Sequence, residues 1–284
     1  VRIASIAIDI LAEHGLIANL DLGKTEAVIS YRGKNALEAN RNLYVTKNGR
    51  YDLKSQHWPG ATLIASMQYC HLGGIIHHKG KMMPEIVSRL GQAATAAKPL
   101  QRRVLGNPDL KIRTRKLLND ALILSRGLFG RSAWPRLNKR ESKKLSDGIM
   151  KFFRNITRMT TTKNSPRHYT DNEVLVSADA NSPTEIASAM RLRYAKRLIT
   201  NGPRALWALL KCDSSATSWL AVLEEDLSWL SSILPSNRGL PAGHDLEAWI
   251  ETITGSNFNW SNLIKSALEL CRIARQNDLD VQQQ

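Results

Sequence analysis

Lys111, Arg113, Arg115 and Lys116 fall within six residues of one another, just after Asn107-Pro108-Asp109. Four cations at that spacing suit one chemistry, which is holding anions. The sequence predicts a helix opening at Asn107, with Asn107 as its cap and Pro108 in its first position. Cations in the first turns of a helix oppose the positive end of its dipole, by roughly 0.3–1 kcal/mol each when exposed. The placement makes sense if an anion docks there, because free helix N–H groups beside arginines form a phosphate site. Arg102 and Arg103 precede this cluster, and Arg126 and Arg131 follow it, extending the track. The competing reading is a surface helix whose charges are simply solvated.

The wider charge distribution favours a polyanionic partner. Residues 81–170 hold 21 Lys/Arg against 5 Asp/Glu, a net of +16. Residues 1–80 carry a net +3 and residues 171–284 a net −4. A block this basic repels itself unless a polyanion or an acidic surface lies against it. Nucleic acid is the leading partner. If about six to ten phosphates are contacted, affinity should fall by roughly 10³–10⁵ between 50 and 200 mM salt.

On its own, the chain offers no complete catalytic constellation. Paired divalent cations need closely placed carboxylates. The dense acidic cluster is Glu224-Glu225-Asp226, inside a helical pattern, and it reads as a solvated face. There is no GxSxG, no HExxH and no phosphate-cradling glycine loop. Cys70, Cys212 and Cys271 are odd in number and far apart, which argues against a disulfide framework and suits a reducing, intracellular compartment. No CxxC pair or zinc-spaced Cys/His cluster occurs, and no metal ligands are assigned. His77 and His78 are adjacent, so on a strand they would face opposite ways. No apolar stretch approaches the roughly 18–20 residues of a membrane span. The chain starts at Val1 with no signal-peptide pattern, and a lost upstream part is expected.

Short elements must position these groups. Residues 1–14 predict an amphipathic helix with Ile3, Ile6, Ile10 and Leu11 on its apolar face, stopped by Gly15. Leu16 to Leu20, Glu26 to Tyr31 and Ala61 to Cys70 are strand candidates, and Leu72-Gly73-Gly74 leads into a tight extended segment. A short helix over Asn35 to Asn42 is followed by turns such as Lys47-Asn48-Gly49-Arg50. From Met83 the pattern is helical. Asn138 to Glu141 predicts a capping box, and so does Ser182-Pro183-Thr184-Glu185. Residues 159–182 are polar and irregular and read as a linker. Five of the seven tryptophans lie after residue 200, where packing is their expected role.

One order of motifs stands out. It runs from a helix through Gly15-Leu16-Ile17-Ala18-Asn19 to Lys24-Thr25-Glu26, then a strand and Leu72-Gly73-Gly74. Glu85-Ile86 and Arg89-Leu90-x-x-Ala93 follow. This order resembles reverse transcriptases of non-LTR (LINE-type) retrotransposons, from just after their catalytic aspartate pair. The resemblance implies that Lys24 belongs to the fourth palm motif and contacts the incoming nucleotide's phosphates or the departing pyrophosphate. A compact cation whose pKa can shift suits that role. It implies that Leu72, Gly73 and Gly74 form the primer grip, and that the basic helices are the thumb. Leu128-Phe129-Gly130 before Trp134 is similar to the same thumb region. The similarity covers about residues 1–160. Beyond 171 it rests on Arg191-Leu192-Arg193-Tyr194 before Asn201-Gly202-Pro203. The family's catalytic Tyr/Phe-Ala-Asp-Asp motif is absent, and no Asp-Asp pair occurs in the chain.

The expected architecture is mainly α with a small α+β N-terminal part. It comprises a palm remnant (1–80), a basic helical thumb (81–158), a linker (159–182) and a helical C-terminal region (183–284). The expected function is the C-terminal portion of an RNA-directed DNA polymerase that binds an RNA–DNA or DNA template–primer. No cofactor is expected in this chain, although Mg²⁺ would serve the intact parent enzyme. The alternatives are a free-standing helical nucleic-acid-binding or scaffolding protein, and a decayed element without function.

Overall fold

A computed structural model describes residues 2–21, 23–71, 73–160, 167–213, 215–235, 239–255 and 259–282. The structure is mainly helical with a small sheet region. It divides into two compact units, Val1–Glu85 and Ile86–Gln284.

In the first unit, helix α1 (Arg2–Glu13) packs beside a three-stranded sheet. Its strands are β1 (Glu26–Ala27), β2 (Arg50–Asp52) and β3 (Thr62–Ala65), in the order β1-β3-β2. β1 runs parallel to β3 and β2 antiparallel to it. Ile8, Leu53 and Leu63 form the core, with Ala4, Leu20 and Trp58 packed around them.

The buried face of α1 is not the one predicted. Ile3, Ile6, Ile10 and Leu11 are exposed and Ile8 is buried. Polar anchors decide the face. The Ser55 hydroxyl donates to Asp9 Oδ1 (2.5 Å), the Gln56 N–H also donates to Asp9, and the Lys54 N–H donates to Ser5 Oγ. Ser5, Ile8 and Asp9 lie on one side of the helix, so these bonds turn Ile3, Ile6 and Ile10 away. Leu16 to Leu20 forms no strand, and Leu16 and Ile17 are exposed. The predicted Ala61 to Cys70 strand breaks at residues 66–67 into β3 and β4 (Gln68–His71). β4 pairs with β5 (Gly74–His77) as a separate hairpin. Between α1 and β2 lies helix α2 (Ala36–Arg41), close to its predicted span.

Helix α3 (Met83–Ala97) leads into the second unit, where Pro99 ends the regular helix. The helix predicted at Asn107 starts later. Asn107 Oδ1 does accept from the Asp109 N–H (2.9 Å), but only one turn closes. Lys111 is extended (φ −56°, ψ 141°), so α4 begins at Ile112 and runs to Asn119. A wide helical turn over Asp120–Leu124 carries the chain into the short α5 (Ser125–Gly127).

Helix α6 (Lys139–Thr157) has the predicted capping box between Asn138 and Glu141. Leu145, Ile149, Phe152, Phe153 and Ile156 recur at helical spacing and are buried. Part of the expected linker is helical. α7 (Asp171–Ser177) is nucleated by a second capping box, Thr170 with Glu173, and held to α6 by Arg154–Asp171 (2.6 Å). The predicted Ser182/Glu185 box opens α8 (Pro183–Asn201). α9 (Arg204–Cys212), α10 (Trp219–Ile233), α11 (Leu246–Thr254) and α12 (Trp260–Gln282) complete the unit. The helices on either side of residues 159–182 therefore share one compact unit. Trp219, Trp249 and Trp260 are buried, and each indole N–H donates to a backbone carbonyl, on Ser132, Ala242 and Leu192 respectively.

Candidate nucleic-acid interface

Three cations of the basic block, Arg89, Arg115 and Arg131, are buried. Arg115 is buried and points its guanidinium at the Leu105 carbonyl (3.5 Å). Arg131 is buried with its guanidinium over the Trp134 ring. Neither can lie on a surface track, which corrects two of the eight phosphate ligands read from the sequence. Arg115 and Asn119, four residues apart, are the buried positions of α4, and Arg131, after the turn at Gly130 (φ 73°), lies against Trp134 within reach of Arg191 and Asp226. Arg89 is also buried, stacked on Phe129, while Arg136 pairs with Glu225 and Arg154 with Asp171.

Of the cluster expected to be a solvated acidic face, Glu225 is exposed and Asp226 alone turns inward. Asp226 is buried, and its Oδ2 lies 2.9 Å from Arg191 Nε. Burial raises the Asp226 carboxyl, against the pull of Arg191. Burial and the nearby Arg191 charge push Arg131 down to about 10.

Of the remaining predicted ligands, Arg102, Arg103, Lys111, Arg113 and Arg126 are exposed. Lys116 is partly buried and paired with Asp120 (3.2 Å). These six do not meet in one cavity; Lys116 alone lines one of the described hollows.

A groove lined by two exposed cations of the basic block lies between α3 and α6. It encloses about 460 Å³, with Leu90, Ala94 and Phe152 in its wall and Gln101 at one end. Lys144 and Lys151 line it from α6. Arg140, Lys144 and Lys151 stand four and seven residues apart on the exposed side of α6, opposite its buried stripe. Asp147 shares that side but is paired with Lys143 (3.2 Å). Gly148 allows the close approach of α3: a Cβ there would fall 2.6 Å from the Leu90 methyls. Sequence reasoning missed Lys144 and Lys151. The available signal was their spacing with Arg140 on the face opposite Leu145, Ile149 and Phe152.

In the first unit, Lys24 is exposed, in a turn closed by its N–H donating to the Asp21 carbonyl (3.0 Å). Glu26 steadies that turn by accepting from the Gly23 N–H (2.9 Å). Gly73 (φ 83°) and Gly74 sit at the tip of the β4–β5 hairpin, and Leu72 lies outside the described residues. The hairpin is pinned by Glu85, whose carboxylate accepts from the Ile75 N–H (2.7 Å). His77 and His78 do not diverge: residue 78 leaves the strand, and their rings stack 4.6 Å apart. No cluster of three or more metal-ligating side chains occurs among the described residues. No helix among them is long and apolar enough to cross a membrane. Compared with known proteins, the chain matches no family model, no curated protein and no solved structure.

Proposed function

We propose that this chain binds nucleic acid by its sugar–phosphate backbone, through the exposed cations of residues 98–151. The observation that carries the reading is the α3–α6 groove, where Lys144 and Lys151 flank an apolar wall. Arg140 extends the same side of α6, and Arg102 and Arg103 are exposed next to Gln101 at the groove's end. Phosphate contacts of this kind fix position and carry no sequence information, so binding is largely independent of sequence.

Within that reading the chain is the C-terminal portion of a reverse transcriptase of the non-LTR type. Its hairpin would grip a primer and its basic helices would hold the template–primer. Support comes from the motif order around Lys24 and Gly73-Gly74, and from the uncovered apolar face of α1, which in a palm would meet further elements. Lys24 would contact phosphate, and Mg²⁺ would serve only the intact parent. A free-standing nucleic-acid-binding helical protein keeps the groove without the palm.

The test is binding of an RNA–DNA hybrid by the intact chain and by a variant with Arg102, Arg103, Lys144 and Lys151 changed to alanine. The proposal predicts at least a tenfold loss of affinity. A control variant at Arg204 and Lys211, exposed on α9, keeps wild-type binding. Equal loss in both variants, or none in either, overturns the assignment.

A further inference from the structure

Phe129 is 53% exposed. Every other phenylalanine, tyrosine and tryptophan among the described residues is buried or half-buried, so this is their one exposed aromatic ring. Its place in the chain is fixed. Leu128 before it and Arg131 after it are buried. The Phe129 N–H donates to the Arg126 carbonyl (3.4 Å), closing the turn that follows α5.

Arg89 backs the ring. Its guanidinium carbon lies 4.5 Å from the ring centroid, and the arginine itself is only 4% exposed. A cation is drawn to an aromatic face by the ring's quadrupole, more strongly where water is excluded. One face of Phe129 is therefore taken, and its exposed area belongs to the other face and the rim. Arg126, three residues earlier in the same turn and also exposed, sets a cation beside the ring.

A flat apolar ring held in one orientation and open to solvent suits a second flat ring. Charge selects the source of that ring. Phe129 lies in the block of residues 81–170, which carries a net +16 and draws polyanions. Proteins that hold single strands without reading sequence combine these two parts, cations along the backbone and an aromatic ring under a base, because every base has a π-face. Inside a duplex both faces of a base are already covered, so the ring can take only an unpaired one. We propose that Phe129 is the stacking platform for one unpaired base of the bound strand, with Arg126 on that strand's phosphate. No hydrogen-bonding edge is read, so any base serves, and purines are favoured by their larger face. This rests on the nucleic-acid reading and adds a single-stranded contact to it, where the α3–α6 groove meets backbone.

The experiment measures the affinity of the full chain for an RNA–DNA hybrid with a short purine overhang, and for the same hybrid with an abasic overhang, the overhang being placed at each end in turn. Both ligands carry the same phosphates, so their affinity ratio cancels backbone binding and should hold constant as salt is raised. The wild-type chain should prefer the purine overhang by at least about fivefold at one end or both, the lower range for one aromatic stack. Phe129→Ala should bring that ratio below about twofold, and Phe129→Trp should keep or raise it. Phe129→Leu keeps an apolar cover over Arg89 without a π-face and should also lower the ratio, which carries the test if the alanine variant does not fold. Equal wild-type affinity for purine and abasic overhangs, or a preference that Phe129→Ala and Phe129→Leu retain, overturns the platform and leaves the ring to a protein contact. Salt-dependent binding without a preference for bases would leave the backbone reading standing, whereas no binding of any hybrid overturns both.

Discussion

Arg191 Nε lies 2.9 Å from Asp226 Oδ2, with both side chains almost wholly buried. The Ser188 hydroxyl donates to the other Asp226 oxygen (2.6 Å). Arg131 stands close enough for its charge to act on both. Arg191 is therefore paired with this buried carboxylate, while Arg131 feels its charge without pairing with it. Removing the partner of a buried charge costs about 3–5 kcal/mol, because the remaining charge is left without compensation. Asp226→Ala should lower unfolding stability in urea by about that amount. Arg131→Met should cost less, since it removes a cation that Arg191 opposes. If the Arg131 change were the costlier one, this account of the network would be wrong.

A backbone prediction concerns Gly49 in the first unit. Its φ is 72°, and a Cβ there would fall 2.6 Å from the Ala65 carbonyl oxygen, which is backbone and cannot swing away. Gly60 has a similar φ of 78° but open space around it. A left-handed non-glycine residue costs about 1–2 kcal/mol, and overpacking adds about 1–3 kcal/mol. Gly60→Ala should show the first cost alone and Gly49→Ala both. Thermal melts of the two variants give the comparison, and equal shifts would speak against the close β2–β3 approach.

The third prediction is a pH dependence. The Ser55 hydroxyl, aided by the Gln56 and His57 N–H groups, holds the Asp9 carboxyl below its ordinary 3.8. A carboxylate with a depressed folded-state pKa favours folding above its unfolded value, and that support is lost as pH falls through the folded one. The first unit should therefore weaken as pH drops below about 4. Asp9→Asn should be less stable at neutral pH and show a shallower loss in acid. Parallel acid profiles for the two chains would remove Asp9 as the anchor of α1.

The fourth concerns chemistry. With Mg²⁺ and deoxynucleoside triphosphates, the isolated chain should extend no primer on an RNA template, because no Asp-Asp pair occurs in it to hold two cations. Clear incorporation would mean that a metal centre assembles from residues not assigned to one.

The local signals were well legible in the sequence. The boxes at Asn138 and Ser182 are found where their four-residue patterns put them, because both partners are neighbours in the chain. The apolar stripe of α6 was equally readable. The direction in which α1 faces was not, because Asp9 is anchored by Ser55, 46 residues away. The inward turn of Arg131 was hidden for a similar reason: the elements around it carry Arg191 and Asp226, far along the chain. A count of cations cannot separate those that stack on aromatic rings or cap carbonyls from those left for a ligand. Lys144 and Lys151 look like any helical lysines until α3 is laid beside α6 across Gly148.

The most direct test of backbone binding is the slope of log K against log salt for an RNA–DNA hybrid. It should be measured with the intact chain and with Arg140, Lys144 and Lys151 changed together to alanine. Each phosphate that is no longer neutralised should flatten the slope by roughly 0.7–0.9, so the triple variant should be shallower by about 2–3. An unchanged slope with unchanged affinity would contradict a backbone interface along α6.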